Sequence, residues 1–330
     1  MVHLLGRLTG ESLFALQLSN SQSAPTPAPF QQMLQLNLSN VIDSPNELLN
    51  LRFCADNGCQ NPLYAWVESY TSDLSQVVVW VKIPFAIPAG MQIPIYMSKQ
   101  SVSQYPYTGM APQLSSTYAQ YDNGNNVFTF YDNFAGTSLN TNKWSSYTSS
   151  TTITVNNGIT IQTSGSSTYG AIVTNTGFSL QTIFDAYLAS FSIQSSSYNS
   201  AMGVGVQTAN SGSAQGYQYT SWNASNSNGG TITYGTISGG ITNFQAGPNF
   251  PNNGNAVLSG YWIATGNLGF AVNYNFVTST NSNVSIGSAN YYALGGWYNT
   301  QSATSVWYWA RVRAMPPNNV MPSLVYFLRI

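Results

Sequence analysis

A chain of 330 residues can build two hydrophobic cores, yet only 5% of its residues are charged, against about 25% in an average soluble domain. A formal net charge of −1 supplies no basic field for nucleic acid and no cationic cluster for an anionic membrane, so neither is expected as a partner. The 14% aromatic content argues for a packed β fold over disorder, and nine carboxylates with one histidine leave little for acid to titrate.

Residues 1–12 form an apolar tail interrupted by His3, Arg7 and Glu11. It is too broken for a transmembrane helix and lacks the uninterrupted apolar stretch of a secretory signal; export would imply a processed, trimmed or mis-assigned start. From residue 13 the pattern alternates, with Phe14, Leu16 and Leu18 on one face of a half-buried strand. Pro25, Pro27 and Pro29 make the next segment an extended connector, and alternation resumes over residues 33–38.

Cys54 and Cys59 bracket an Asn-Gly turn and are read as a disulfide clamping a hairpin in an oxidising compartment. Two reduced thiols are the alternative, and half of a zinc site is disfavoured because His3 is the sole histidine. The run VVVWVKI at 77–83 reads as a strand buried on both faces apart from Lys82, and in the strand at 91–97 Pro94 suggests an edge position or the start of a strand. Residues 13–125 are thus expected to form a β-sandwich module, the last 25 or so of them a Ser-, Gln-, Tyr- and Pro-rich crossing.

Between Trp144 and Ala310 the single charged side chain is Asp185. Eleven short strands separated by Gly/Asn turns are expected from residue 127 onward, near 127–133, 152–163, 168–175, 184–194, 200–209, 216–222, 231–238, 256–264, 268–275, 291–298 and 306–315. The reading is all-β: two jelly-roll-like β-sandwich domains in tandem, the second over 126–322, with strand-like tails at 1–12 and 323–330.

Three passages resemble known families. LRFCADNG, VVVWVKIP and IPAGMQIPIYM resemble a β-sandwich module of archaeal and some bacterial surface proteins. FYDNFAGTSLNTNKW (130–144) is similar to the opening of concanavalin A-like and laminin G-like jelly rolls, and WARVRAMPPNNVMPS (309–323) to the closing strand of that tandem. The resemblance implies an exported, extracellular, cell-surface protein. Glycosidases of the jelly-roll superfamily use a glutamate pair, whereas Glu11, Glu47 and Glu68 all precede the jelly roll, so no catalytic residue is assigned and the chain is expected not to be an enzyme.

Asp122, Asp132 and Asp185 are weighed as calcium ligands and favoured as turn caps; no metal or other cofactor is expected. Aromatics cluster around Tyr217, Tyr219 and Trp222, around Tyr291, Tyr292, Trp297 and Tyr298, and at Trp307, Tyr308 and Trp309. Core packing is the first reading; a glycan-stacking surface of Tyr217, Tyr219, Trp222, Tyr292 and Trp297 is the second. Stacking of Arg311 and Arg313 on Trp307 and Trp309 is a structural alternative at the third cluster. Asn37, Asn223 and Asn283 open N-glycosylation patterns.

Phe14, Leu16 and Leu18 at one end, and Leu324, Tyr326, Leu328 and Ile330 at the other, alternate as assembly strands would. The leading expectation is therefore a non-enzymatic subunit of a surface filament or pilus, assembled from copies of itself by strand exchange and serving adhesion. The alternative is a monomeric lectin-like adhesin domain that binds surface glycans.

Overall fold

The computed structural model describes residues 13–100, 107–164, 168–179, 181–193, 201–207, 217–223, 230–238, 241–250, 255–264, 267–281, 291–299 and 302–329. The chain divides into two compact units, one of Met1–Tyr131 with Arg313–Ile330 and one of Asp132–Val312. The described ladders are antiparallel except that of β5 (Ala65–Tyr70) with β8 (Thr108–Met110), which is parallel.

The first unit contains β1 (Leu13–Ser19), β2 (Phe30–Leu36), β3 (Leu51–Cys54), β4 (Pro62–Leu63), β5 (Ala65–Tyr70), β6 (Val77–Ile83), β7 (Gln92–Lys99) and β8 (Thr108–Met110). After them come a single helical turn, α1 (Gly124–Val127), and the short β9 (Phe130–Asp132). Period-two alternation produces the expected burial in β1, where Phe14, Leu16 and Leu18 are fully buried. A five-stranded sheet, ordered β24-β1-β7-β3-β4, includes the late strand β24 (Ser323–Arg329), and a four-stranded sheet is ordered β2-β6-β5-β8.

Two expectations change here. Pro94 lies in β7, an interior strand. Strand β3 pairs with Tyr96–Lys99, so at Pro94 the flank of β7 away from β1 has no ladder among the described residues, and the missing N–H costs nothing there. The assembly strands are internal: β24 pairs antiparallel with β1, from Phe14 opposite Arg329 to Ser19 opposite Ser323. Phe14, Leu16 and Leu18 are therefore core residues, Leu324 is half-buried, and Tyr326 and Leu328 lie exposed on the outer strand. Ile330, His3 and the tail at 1–12 lie outside the described residues.

Buried glutamines tie the returning segment to β2. Gln31 accepts from the Ala314 N–H at 2.9 Å, and Gln32 donates to the Pro322 carbonyl at 2.8 Å. Beneath them Trp66, Trp80, Phe128 and Tyr131 form an aromatic cluster. Its indoles are oriented by carboxylates, Trp66 donating to Asp122 and Trp80 to buried Glu68, both at 2.8 Å. Cys54 and Cys59 form the expected disulfide, with Cα atoms 5.1 Å apart.

The second unit is a jelly-roll-type sandwich. Its strands are β10 (Trp144–Ser149), β11 (Thr151–Val155), β12 (Ile159–Thr163), β13 (Thr168–Thr174), β14 (Thr182–Ile193), β15 (Ala201–Gln207) and β16 (Tyr217–Asn223). They continue as β17 (Gly230–Ser238), β18 (Ile241–Phe250), β19 (Ala256–Ala264), β20 (Asn267–Val272), β21 (Asn275–Asn281), β22 (Tyr291–Asn299) and β23 (Ala303–Ala314). Sheet I runs β10-β13-β22-β15-β16-β17-β18, and sheet II runs β11-β12-β23-β14-β19-β20-β21.

Between the sheets Phe184 of β14 stacks on Tyr292 of β22, centroids 5.0 Å apart, while Trp144 meets Phe184 edge-on at 6.4 Å. Gly260 leaves room for Val204 and Val206 from the facing sheet. These contacts identify the inner face of sheet II as that of Phe184, Leu258 and Gly260. Residues one position away, Asp185 and Ser259, point out of the sandwich.

Three exposed or partly exposed carboxylates of the first unit are held below their usual range. Asp73 is lowered to about 2, first by the Thr71 hydroxyl and then by Ser75; Asp56 is lowered first by the Gln60 N–H, and Glu47 first by Lys99, which donates at 2.9 Å. Depressed carboxyl pKa values contribute stability that is complete above the unfolded value of about 4 and is lost as pH falls through the folded one. We expect β-sheet circular dichroism and the thermal midpoint to stay flat from pH 7 to about 4.5 and to decline toward pH 2; a transition already complete at pH 4 would contradict this. Replacing both Cys54 and Cys59 by serine is expected to cost roughly 2 kcal/mol in calorimetry or denaturant titration, the chain-entropy value for so short a loop.

Candidate functional site

Three adjacent strands of sheet II, β23, β14 and β19, bring Arg311, Asp185 and Ser259 together on its outward face. Asp185 lies directly across from Ser259 in the β14–β19 ladder, and the Ser259 hydroxyl donates to its Oδ1 at 2.7 Å. Arg311 Nε donates to Oδ2 at 3.0 Å. All three side chains are fully buried. A lone carboxylate in an apolar strand needs both a counter-charge and hydrogen bonds, and this arrangement provides them.

The guanidinium also organises the surrounding rings. It lies 4.7 Å from the Trp309 ring centroid and 5.9 Å from that of Tyr274, and Nη2 donates to the Tyr274 hydroxyl at 2.8 Å. Tyr187 stacks on Trp309 at 5.8 Å with planes 14° apart, and Tyr308 tilts against Tyr187 at 6.1 Å. Tyr187, Tyr274 and Tyr308 are half-buried, so each ring is fixed from below and reaches solvent in part. Beside them Phe276, 44% exposed, meets Tyr261 edge-on at 5.4 Å. Gly269 provides its seat: a Cβ there would stand 2.6 Å from the Phe276 ring. The outcome is a partly exposed aromatic surface whose one ion pair is internally neutralised.

The expected site residues distribute differently. Tyr292 is a core ring, fully buried against Phe184 and Phe178, which removes it from any stacking surface. Tyr217, Tyr219 and Trp222 are placed in β16 and Trp297 in β22 as backbone positions of sheet I; their side chains lie outside the described residues. Arg311 stacks on Trp309 as the third cluster suggested, whereas Arg313 belongs to the first unit and lies over Trp80 at 4.9 Å.

Asp122 and Asp132 serve structure, accepting the indole N–H of Trp66 and of Trp144 respectively. Each also accepts a backbone N–H two residues on, from Gly124 and Phe134, so the turn-cap reading describes part of their role. Asp185 is no turn cap; it stands mid-strand. Among the described residues no three His, Cys, Asp or Glu side chains converge as a metal would require. Asn37, which opens one of the N-glycosylation patterns, is buried, its Oδ1 accepting from the Ser39 N–H and hydroxyl. Asn223 ends β16 with its side chain outside the described residues, as is all of Asn283.

No family model matches the chain. Over 120 residues it is 58% identical to uncharacterized protein 562 of Sulfolobus islandicus rod-shaped virus 1, a match covering 36% of this chain and 21% of that protein. Similar solved structures include the endo-β-1,3-glucanase from Pyrococcus furiosus, with TM-score 0.43, 12% identity, and coverage of 57% of this chain and 94% of that one. LamAcat from Zobellia galactanivorans gives TM-score 0.41, 10% identity, and coverage of 56% and 97%. An immunostimulatory antigen and pseudo β-1,3-glucanase of Mycobacterium tuberculosis gives TM-score 0.41, 11% identity, and coverage of 57% and 98%.

These findings correct two expectations. The solved structures named above are of glucanases and a pseudo-glucanase, and the strand expected to be donated, β24, closes on β1 of its own chain. The filament or pilus reading is withdrawn on those grounds. The expectation that the chain is not an enzyme is not retained either; the solved structures just named include glucanases, a likeness of fold alone.

Breaking the Asp185–Arg311 pair strands a buried charge, so Arg311→Met and Asp185→Asn are each expected to destabilise the second unit by about 3–5 kcal/mol. The double variant should lose markedly less than the sum, which a double-mutant cycle by urea denaturation reads directly. Additive losses would contradict the pairing.

Proposed function

We propose that the second unit binds a neutral polysaccharide on the outward aromatic face of sheet II. The observation that carries this reading is the set of half-buried tyrosines Tyr187, Tyr274 and Tyr308, immobilised around a self-neutralised Asp185–Arg311 pair. Sugar rings present C–H faces that stack on aromatics and hydroxyls that pair with phenols, and a pre-ordered surface loses little entropy on binding. A face without net charge favours neutral chains over uronates or phosphates. Exposed Phe276, seated on Gly269, adds a further stacking platform.

The disulfide and the very low charge support an extracellular location, with the first unit acting as an archaeal-type surface module that presents the jelly roll for glycan attachment. Adhesion is the role this reading assigns.

Native affinity electrophoresis through gels containing a soluble β-glucan, a mannan, a galactan or a polyuronate tests the proposal. At least one neutral polymer is expected to retard the protein, with retardation unchanged between about 0.05 and 0.5 M salt because no exposed ion pair is involved. Tyr308→Ala and Phe276→Ala should each weaken binding by roughly 1 kcal/mol, about fivefold. Retardation by the polyuronate alone, abolished by salt, would overturn the reading. Release of reducing ends from a retarding polymer would reassign the unit as a hydrolase.

A further inference from the structure

The turn joining β20 to β21 has both central residues, Asn273 and Tyr274, in the left-handed region, with φ of 48° and 64°. Val272 pairs with Asn275 across it, a two-residue hairpin loop with the φ signature of a type I′ turn. The second position of such a turn is ordinarily glycine, because a Cβ there crowds the backbone. The β11–β12 hairpin of the same sheet, whose loop has three residues between Val155 and Ile159, places a glycine at its last loop position, Gly158 at φ 122°.

Tyrosine at 274 is not needed to pin the turn. Asn273 does so with two bonds to β19, its N–H donating to the Val257 carbonyl at 2.8 Å and its Oδ1 accepting from the Val257 N–H at 2.9 Å. The strained tyrosine instead holds its hydroxyl 2.8 Å from Arg311 Nη2, with its ring partly in solvent between exposed Asn273 and Asn275. Strain retained where glycine would relieve it marks a position held for something besides the turn.

Resting on the carbohydrate reading, we propose that Tyr274 is the specificity-determining residue of the aromatic face. Its ring stacks on a sugar and its oriented hydroxyl discriminates between epimers, while Arg311 is the positioning residue that fixes that hydroxyl. A phenol held by a buried guanidinium has one preferred direction, so it favours a sugar whose hydroxyl meets it and rejects the epimer whose hydroxyl does not.

The same electrophoresis with the β-glucan, mannan and galactan, applied to wild type, Tyr274→Phe and Tyr274→Gly, tests this. Tyr274→Phe is expected to keep most of the affinity for the preferred polymer yet bring the ratio between epimeric polymers toward one, and Tyr274→Gly to lose about tenfold in affinity. A purely structural tyrosine would shift the thermal midpoint and leave the epimer ratio unchanged, which overturns the assignment. If Tyr274→Gly fails to fold, the ratio measured on Tyr274→Phe alone decides. Binding by the wild type with an unaltered ratio in Tyr274→Phe removes Tyr274 and leaves the carbohydrate reading standing; no binding of the wild type to any of the neutral polymers removes both.

Discussion

A carboxylate taken out of water must be given donors, and this chain, with few cations to offer, gives it indoles. Trp66 donates to Asp122, Trp80 to Glu68 and Trp144 to Asp132, each at 2.7–2.8 Å. Every such bond does two jobs: it satisfies an anion and it orients a large flat ring, so that the rest of the core packs against a surface of known direction. Asp185 is given a buried arginine, and that arginine goes on to orient Trp309 and Tyr274.

Consuming charge internally also shapes the exterior of the jelly roll. With Asp185 matched by Arg311 and no other charge between Trp144 and Ala310, the outward face of sheet II presents phenols, amides and aromatic edges. A ligand meeting that face would be held by shape and short-range contact, with little long-range steering. Such a surface retains its properties across pH and ionic strength, in keeping with a chain that carries so few titratable groups.

Much of the fold was legible because strands announce themselves by period. Phe14, Leu16 and Leu18 emerged as a buried face, and the Asn57-Gly58 turn located the disulfide hairpin. Other elements were hidden for definite reasons. The expected single strand at 152–163 is a hairpin broken at Asn156-Asn157-Gly158, and the one at 268–275 ends at a turn disguised by a tyrosine in the glycine position. Strand β18 carries Gly247 and Pro248, which suppress the strand signal. The site was harder to read, since Asp185 and Arg311 lie 126 positions apart and only the topology makes them neighbours. A solitary charge within the apolar run around Phe184 was the available clue, because it demanded a partner. Tyr308 and Trp309 were visible as a cluster, but both faces of a jelly-roll sheet carry aromatics, and local sequence does not say which face is outward.

The pairing of β1 with β24 has a consequence for how the protein is made. Gln17 and Tyr326 are neighbours in space yet 309 positions apart, whereas the second unit is one continuous stretch, Asp132–Val312. At ribosomal rates the first strand therefore waits on the order of 15–60 s for its partner. During that interval the jelly roll can complete itself while the earlier sandwich keeps one sheet edge open. The usual amino-to-carboxyl order of domain folding is reversed, and the nascent chain must keep the backbone groups along β1 from pairing with a neighbouring polypeptide until β24 arrives.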